Sequence, residues 1–371
     1  MVDYKLLLKH LSVADQAPFG LLSQQALPTA SILNNAFGSR LACLFSPEHG
    51  WFGLAAPGEK THSTTHPFWG IPVHSLYGET RKPTPEMFAG IGRVVIDLQD
   101  IGVRCYTYLA TLKLMLEAAA EQKVAVTVLD RPIPLGGILD GPLRDLAHAS
   151  FVAPLNIPLC HGMTPGECAT YIVREEALDL DLTVIRLQGW SHNSRAPWPN
   201  FVPPSLAIRS WDSATLYPAT VFTEAHPTLD CDRGGSLAFR ILGAPWLNLA
   251  QILDDVADAL PACGLGARPL RYQPVTGPYA GQSLDGLLLS IENPDAFYPV
   301  TAGSILYAAL RHRHKAEFLK DARPEWLDKL FGSTCLRDAY EAHDLSTLFQ
   351  SWLEEQDAYL AKRVNLYERA R

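Results

Sequence analysis

The 371-residue chain is short of the features by which many proteins show their partners. It has no basic block, and its formal net charge is −8. Without an electrostatic footprint for phosphate backbones, no nucleic-acid partner is expected. No apolar run reaches the roughly 18 residues of a membrane helix, so no membrane partner is expected either. The N-terminus offers only Leu6-Leu7-Leu8, preceded by Asp3, so no signal peptide is expected. Seven cysteines lie scattered at 43, 105, 160, 168, 231, 263 and 335, with no Cys-x-x-Cys pair. That odd, unpaired set makes a poor zinc site and suits reduced thiols in a cytoplasm, the expected location. The chain contains no P-loop, Gly-x-Gly-x-x-Gly, Gly-x-Ser-x-Gly or His-Glu-x-x-His pattern. The usual loop chemistry for nucleotides, the esterase elbow and the helical zinc site are therefore missing, and no cofactor is expected.

What the chain does have is three apolar runs, each ending in chemically capable residues. Residues 41–45 lead into Ser46-Pro47-Glu48-His49-Gly50. Residues 94–96 lead into Asp97-Leu98-Gln99-Asp100-Ile101-Gly102-Val103-Arg104, and residues 124–129 into Asp130-Arg131-Pro132. If the runs are parallel strands, their ends emerge at one rim, where open α/β sheets bind ligands. That rim would gather Glu48, His49, Asp97, Asp100, Arg104, Asp130 and Arg131 in one crevice.

Helix-forming Ala and Leu at 113–122 separate the second and third runs, which predicts a right-handed strand–helix–strand unit. Residues 83–88 predict a short helix. Thr164, Pro165 and Glu167 read as N-cap, first helical position and reciprocal capping-box residue of another helix. Residues 182–187 predict a strand, and proline-rich 190–204 an irregular segment. From about residue 205 the character changes. Residues 239–243, 249–260 and 299–311 predict helices, 284–291 a strand, and 322–371 a charged helical tail. The chain is therefore expected to be α/β, with a mostly parallel sheet domain at 1–205 followed by a smaller α/β domain with a helical tail at 206–371.

Several residues are candidates for chemistry. Glu48 could protonate a leaving oxygen if Trp51 and Phe52 wall it with apolar surface. Asp97, Asp100 and Asp130 could serve as sugar acceptors, a base or hard metal ligands, or could simply satisfy backbone N–H groups at their turns. Arg104, Arg131 and Arg233 could fork onto a carboxylate. His161 precedes the capped helix and could bind substrate. Glu224 follows the apolar-aromatic run 216–222 in a strand-end setting like that of Glu48.

At these residues the sequence resembles a bacterial family of exo-acting β-N-acetylmuramidases. The resemblance rests on Ser46-Pro47-Glu48-His49-Gly50, Gly58-Glu59-Lys60, Val73-His74-Ser75-Leu76-Tyr77-Gly78 and Lys82-Pro83-Thr84-Pro85-Glu86-Met87. It continues through the run from Asp97 to Tyr108, then Leu129-Asp130-Arg131-Pro132, Gly141-Pro142 and His161-Gly162-Met163-Thr164. Val202-Pro203-Pro204-Ser205 and Leu242-Gly243-Ala244-Pro245-Trp246 complete it. The resemblance implies a Rossmann-like domain and a smaller α/β domain with the active site between them. It also implies release of N-acetylmuramic acid from the non-reducing end of a peptidoglycan glycan, a small-molecule amino-sugar substrate.

On this reading Glu48 is the general acid, and either Asp100, Asp130 or Glu224 supplies a second carboxylate as base or stabiliser, or the substrate's acetamido group acts in its place. Arg104, Arg131 or Arg233 takes the lactyl carboxylate, and His49, Tyr106 and His161 take hydroxyls or the acetamide. Trp51-Phe52-Gly53-Leu54 stands where the family has aromatic-Arg-Gly-Asp, and Glu224-Ala225-His226-Pro227 where it has Glu-Gly-Thr-Asn. These exchanges leave a non-catalytic amino-sugar binder as the alternative. A metal-dependent hydrolase built from Asp97, Asp100, Asp130, His49 and His161 is the third.

Overall fold

The structure is a computed structural model that describes residues 1–13, 16–24, 26–194, 197 and 201–367. Seven strands form its main sheet: β1 (Phe19–Leu22), β2 (Leu41–Ser46), β3 (Thr64–Thr65), β4 (Pro72–Ser75), β5 (Arg93–Ile96), β6 (Ala125–Leu129) and β7 (Leu182–Ile185). Their spatial order is β3-β4-β2-β1-β5-β6-β7. Every pairing is parallel except that of β3 with β4. The three apolar runs are thus the parallel strands β2, β5 and β6. β1, β5 and β6 are buried along nearly their whole length, as expected for parallel strands covered on both faces.

From β1 the chain builds outward to β2 and β4, then crosses back to place β5 on the other side of β1. This reversal creates a topological switch point, and a crevice opens beyond the strand ends there. Helices α1 (Tyr4–Val13), α2 (Thr29–Phe37), α3 (Tyr108–Glu121) and α4 (Pro165–Glu175) accompany the sheet. The α4 start has the expected capping box: the Thr164 side chain accepts from the Glu167 N–H, and Glu167 reaches back to the Thr164 N–H.

The later residues form α5 (Trp211–Thr220), β8 (Ile241–Gly243), α6 (Leu249–Asp255), α7 (Ala259–Ala262), β9 (Leu265–Tyr272) and β10 (Leu284–Ile291). They continue through α8 (Pro299–Arg313), α9 (Lys315–Phe318), α10 (Pro324–Phe331), α11 (Cys335–Glu341) and α12 (Leu345–Leu360). β8, β10 and β9 make a small antiparallel sheet in that order.

Three expectations need correction. Residues 241–243 are a strand rather than a helix, because Ile241, Leu242 and Gly243 pair with β10. Residues 216–222 are not a strand: 216–220 are the end of α5, and a 3₁₀ turn at Val221–Ala225 follows and carries Glu224. The helical tail stops at Leu360, and 361–367 fold back without helix until the Tyr367 hydroxyl reaches Asp130. Residues 368–371 of that tail lie outside the described residues, as do 195–196 and 198–200 of the irregular segment.

One continuous apolar core joins α3 and β6 to Tyr217, Phe222, Leu242, Val300 and Trp352. Each fully buried Leu, Ile or Val in it contributes roughly 1.5–3 kcal/mol. Arg104 crosses the same region. It is fully buried and donates to the carbonyls of Pro142 (2.9 Å), Ile157 (2.5 Å) and Phe331 at the end of α10. A Cβ on Gly332, at φ +69°, would lie 2.6 Å from the Arg104 guanidinium. Only glycine fits both that backbone conformation and that contact.

Candidate active site

The crevice at the switch point deepens into a cavity of about 280 Å³. Glu48, His49 and the Cys105–Tyr106–Thr107 stretch enter it from the ends of β2 and β5, and Tyr77 from the end of β4. Tyr217 of α5, Glu224 of the following turn, Arg233, Phe239 and Arg323, and Trp326 and Leu330 of α10 close the other side.

Glu48 is firmly held. The Gly58 N–H donates to its Oε1 at 2.7 Å, and the Thr107 hydroxyl to its Oε2 at 2.6 Å. Thr107 is the N-cap residue of α3, yet its side chain makes no capping bond. It is committed to Glu48 instead. The Tyr77 hydroxyl also interacts with Glu48. His49 sits at φ +75°, a left-handed conformation uncommon outside glycine and a form of strain found at functional sites. Its Nδ1 lies 3.0 Å from the Ala55 carbonyl, which can only accept. Nδ1 therefore carries the hydrogen, and in the neutral ring Nε2 is the acceptor.

Glu224 approaches from the opposite wall with its side chain 13% exposed. Its Oε1 accepts from Arg233 Nη2 at 3.0 Å, and the Trp326 side chain also bonds to it. Burial pushes its carboxyl above the ordinary glutamate value; Arg233 opposes that shift, and the nearby Glu48 charge adds to it. Tyr106 is buried in the wall, with its hydroxyl beside Ser205 and Tyr108. Burial pushes the Cys105 thiol up to about 12, so it is not a thiolate nucleophile.

The wider crevice expected from the strand ends does not form. Glu48, His49, Tyr106, Glu224 and Arg233 share the cavity, while Asp100, Arg104, Asp130, Arg131 and His161 do not line it. Each of the five is turned inward for a local reason. Asp100 is buried and accepts from the Gly102 N–H at 2.7 Å, and burial raises its carboxyl to about 6. Asp130 accepts from the N–H groups of Arg131 and Gly166 and the hydroxyls of Thr164 and Tyr367, which ties α4 and the tail to the sheet. Arg131 forks onto Asp97, with Nη2–Oδ2 at 3.0 Å, and also donates to Tyr4. Arg104 serves the three carbonyls described above. His161 accepts at Nδ1 from the Met163 N–H at 3.2 Å, and burial lowers its pKa to about 3, leaving it neutral. Asp97, Asp100, Asp130, His49 and His161 do not assemble into a ligand set, and no metal-binding group of three occurs among the described residues.

Sequence reading missed Tyr77 and Thr107 as site residues, although both lie inside motifs it singled out. It also missed Tyr217, Arg323 and Trp326, which lie on helices or turns far along the chain and carried no local signal.

A switch-point crevice with two opposed carboxyl groups and an arginine defines an α/β protein equipped for acid–base chemistry on a small polar substrate. Comparison with known proteins makes the assignment specific. The family models for exo-β-N-acetylmuramidase NamZ match residues 15–212 (N-terminal) and 215–367 (C-terminal), and the chain belongs to that family. It is 35% identical over 310 residues to the peptidoglycan β-N-acetylmuramidase NamZ of Bacillus subtilis, covering 81% of this chain and 73% of that protein. A crystal structure of a DUF1343 family protein from Bacteroides fragilis superposes with a TM-score of 0.85 at 26% identity, covering 98% of this chain and 97% of that one. A second from the same organism, at 24% identity and a TM-score of 0.77, shares the fold.

Proposed function

We propose that this protein is an exo-acting glycosidase that releases terminal β-linked N-acetylmuramic acid from the non-reducing end of peptidoglycan fragments. The observation that carries this reading is the presence of Glu48 and Glu224 in one cavity, with Arg233 bonded to Glu224. A volume near 280 Å³ lies at the lower end of small-molecule sites, which suits one sugar ring and hence an exo mode.

Burial, with the Glu48 charge adding to it, raises the Glu224 carboxyl above the ordinary glutamate value, which makes Glu224 the donor to the glycosidic oxygen. This differs from the acid role expected for Glu48. Trp51 and Phe52 wall neighbouring grooves rather than this cavity, whereas Phe239, Trp326 and Leu330 line it together with Glu224. Glu48, fixed by Gly58 and Thr107, assists from the other side as base or as stabiliser of the positive charge that develops on the sugar.

Arg233, whose side chain is 39% exposed, faces the incoming sugar. The lactyl carboxylate competes for its guanidinium, and Glu224 then loses counter-charge and holds its proton more firmly. His49 and Tyr106 supply hydrogen bonds to hydroxyls or the acetamide.

Seven free cysteines, six of them buried, support a reducing compartment, and we place the protein in the cytoplasm. Among the described residues no helix is long and apolar enough to cross a membrane.

The test is hydrolysis of a chromogenic β-N-acetylmuramide by the wild-type protein and by Glu48→Gln. Wild-type turnover and a loss of about 100-fold or more in the variant are expected. Calorimetric binding of the glycoside with no turnover by the wild type would overturn the enzymatic reading.

A further inference from the structure

The carboxylate cavity is not isolated. A second groove, about 210 Å³, shares His49 and Ser205 with it and leads away over Phe52. Phe52 is an exposed aromatic, 38% accessible. Its ring is backed by His66, with centroids 6.3 Å apart and planes 28° apart, and His66 in turn stacks on Trp69 at 4.1 Å. Pro203, Pro204 and Leu206 line the same groove. No Lys, Arg, Asp or Glu lines it among the described residues.

Gln24 also lines this groove. It is only 5% exposed, and one end of its amide is bonded to the Tyr108 hydroxyl at 2.8 Å. The other amide atom has no hydrogen-bond partner among the described residues. A buried amide left half-satisfied is costly unless a ligand or water completes it.

These observations fit one occupant. The faces of a pyranose ring are apolar C–H surfaces and its edges carry hydroxyls. A braced aromatic plate and two prolines in the lining match the faces, and a free amide end with Ser205 and His49 matches the edges. The uncharged lining fits a sugar without a carboxylate.

We propose that this groove is the leaving-side subsite and binds the uncharged N-acetylhexosamine beyond the scissile bond, with its ring on Phe52 and an edge group on Gln24. The inference rests on the muramidase reading above, since it takes the Glu48–Glu224 cavity as the place of bond cleavage. Binding energy from this remote ring would then be available to orient the reacting one.

The test compares two substrates that differ only on the leaving side: the β-fluoride of N-acetylmuramic acid, whose leaving group has no ring, and the disaccharide in which that sugar is linked to N-acetylglucosamine. In Phe52→Ala, kcat/KM for the disaccharide should fall by about 10-fold, the usual scale for truncating an aromatic anchor, while the fluoride rate stays within about 2-fold. Phe52→Trp should restore the disaccharide rate. If Phe52→Ala leaves the disaccharide rate unchanged, or lowers both substrates equally, the subsite is overturned while fluoride turnover by the wild type still upholds the muramidase reading. If the wild type turns over neither substrate, both readings fall.

Discussion

Replacing Glu224 by Gln should separate activity from stability. The side chain is 13% exposed and burial holds its carboxyl above the ordinary glutamate value. A raised value means the folded protein keeps a proton that the unfolded chain has already released. The stabilising contribution of that proton is complete below the ordinary glutamate range and is lost as pH rises through the raised value. At pH 8 the carboxylate is therefore a liability to the fold, and a neutral amide of the same shape removes it. The amide oxygen of Gln can still accept from Arg233, whose side chain is 39% exposed, so the loss of that ion pair is small. The variant should melt no lower than the wild type at pH 8, and any advantage should shrink towards pH 4. Activity should move the other way. Loss of a general acid lowers the rate by roughly 100- to 10,000-fold, or about 3–5 kcal/mol in barrier. The assay is a muramide rate beside a thermal melt at both pH values. A variant that keeps its rate within about 3-fold, or that loses rate only together with its fold at pH 8, would refute the reasoning.

Other outcomes follow from the same geometry. Thr107→Val removes a hydroxyl 2.6 Å from Glu48; kcat should fall on the order of 10-fold with little change in KM, and Thr107→Ser should recover most of it. Arg104→Met leaves three buried carbonyls without donors, each worth about 1–3 kcal/mol, and relieves roughly 3 kcal/mol of burial strain on a guanidinium lowered to about 10. Its urea midpoint should drop by the equivalent of about 3 kcal/mol while KM of the folded protein is unchanged; an altered KM would make Arg104 a substrate ligand after all. Arg233→Met should raise KM for muramides about 10-fold or more while leaving the corresponding N-acetylglucosaminide rate little changed.

The parts of this molecule that sequence conveyed are those with a period or a cap. Strands β2, β5 and β6 stood out as apolar runs with charged ends, and Thr164 with Glu167 marked the start of α4. Strand ends pointed to Glu48 and His49 at the β2 edge of the site, while Tyr106 and Arg233 were named without a strand end to place them, and Glu224 on a strand that does not form. A strand end tells which rim a residue occupies but not whether its side chain turns into the crevice or back into the protein. Asp100 turned back because Gly102 adopts φ +83° and offers its N–H, and Asp130 because the start of α4 offers two donors. The second carboxylate was named among several candidates, but its setting was misread. The run before Glu224 is buried on every side, so it shows no period that tells helix from strand. Tyr77, Tyr217 and Trp326 reach the cavity only through tertiary packing.

The central claim is that Glu48 and Glu224 cleave one terminal muramyl bond at a time. The most direct measurement follows a peptide-free peptidoglycan tetrasaccharide with N-acetylmuramic acid at its non-reducing end, labelled at its reducing end, by mass spectrometry over the course of digestion. Free N-acetylmuramic acid and a labelled trisaccharide should appear first and in equal amounts. A labelled disaccharide as the first product, or an uncut tetrasaccharide, would contradict the account.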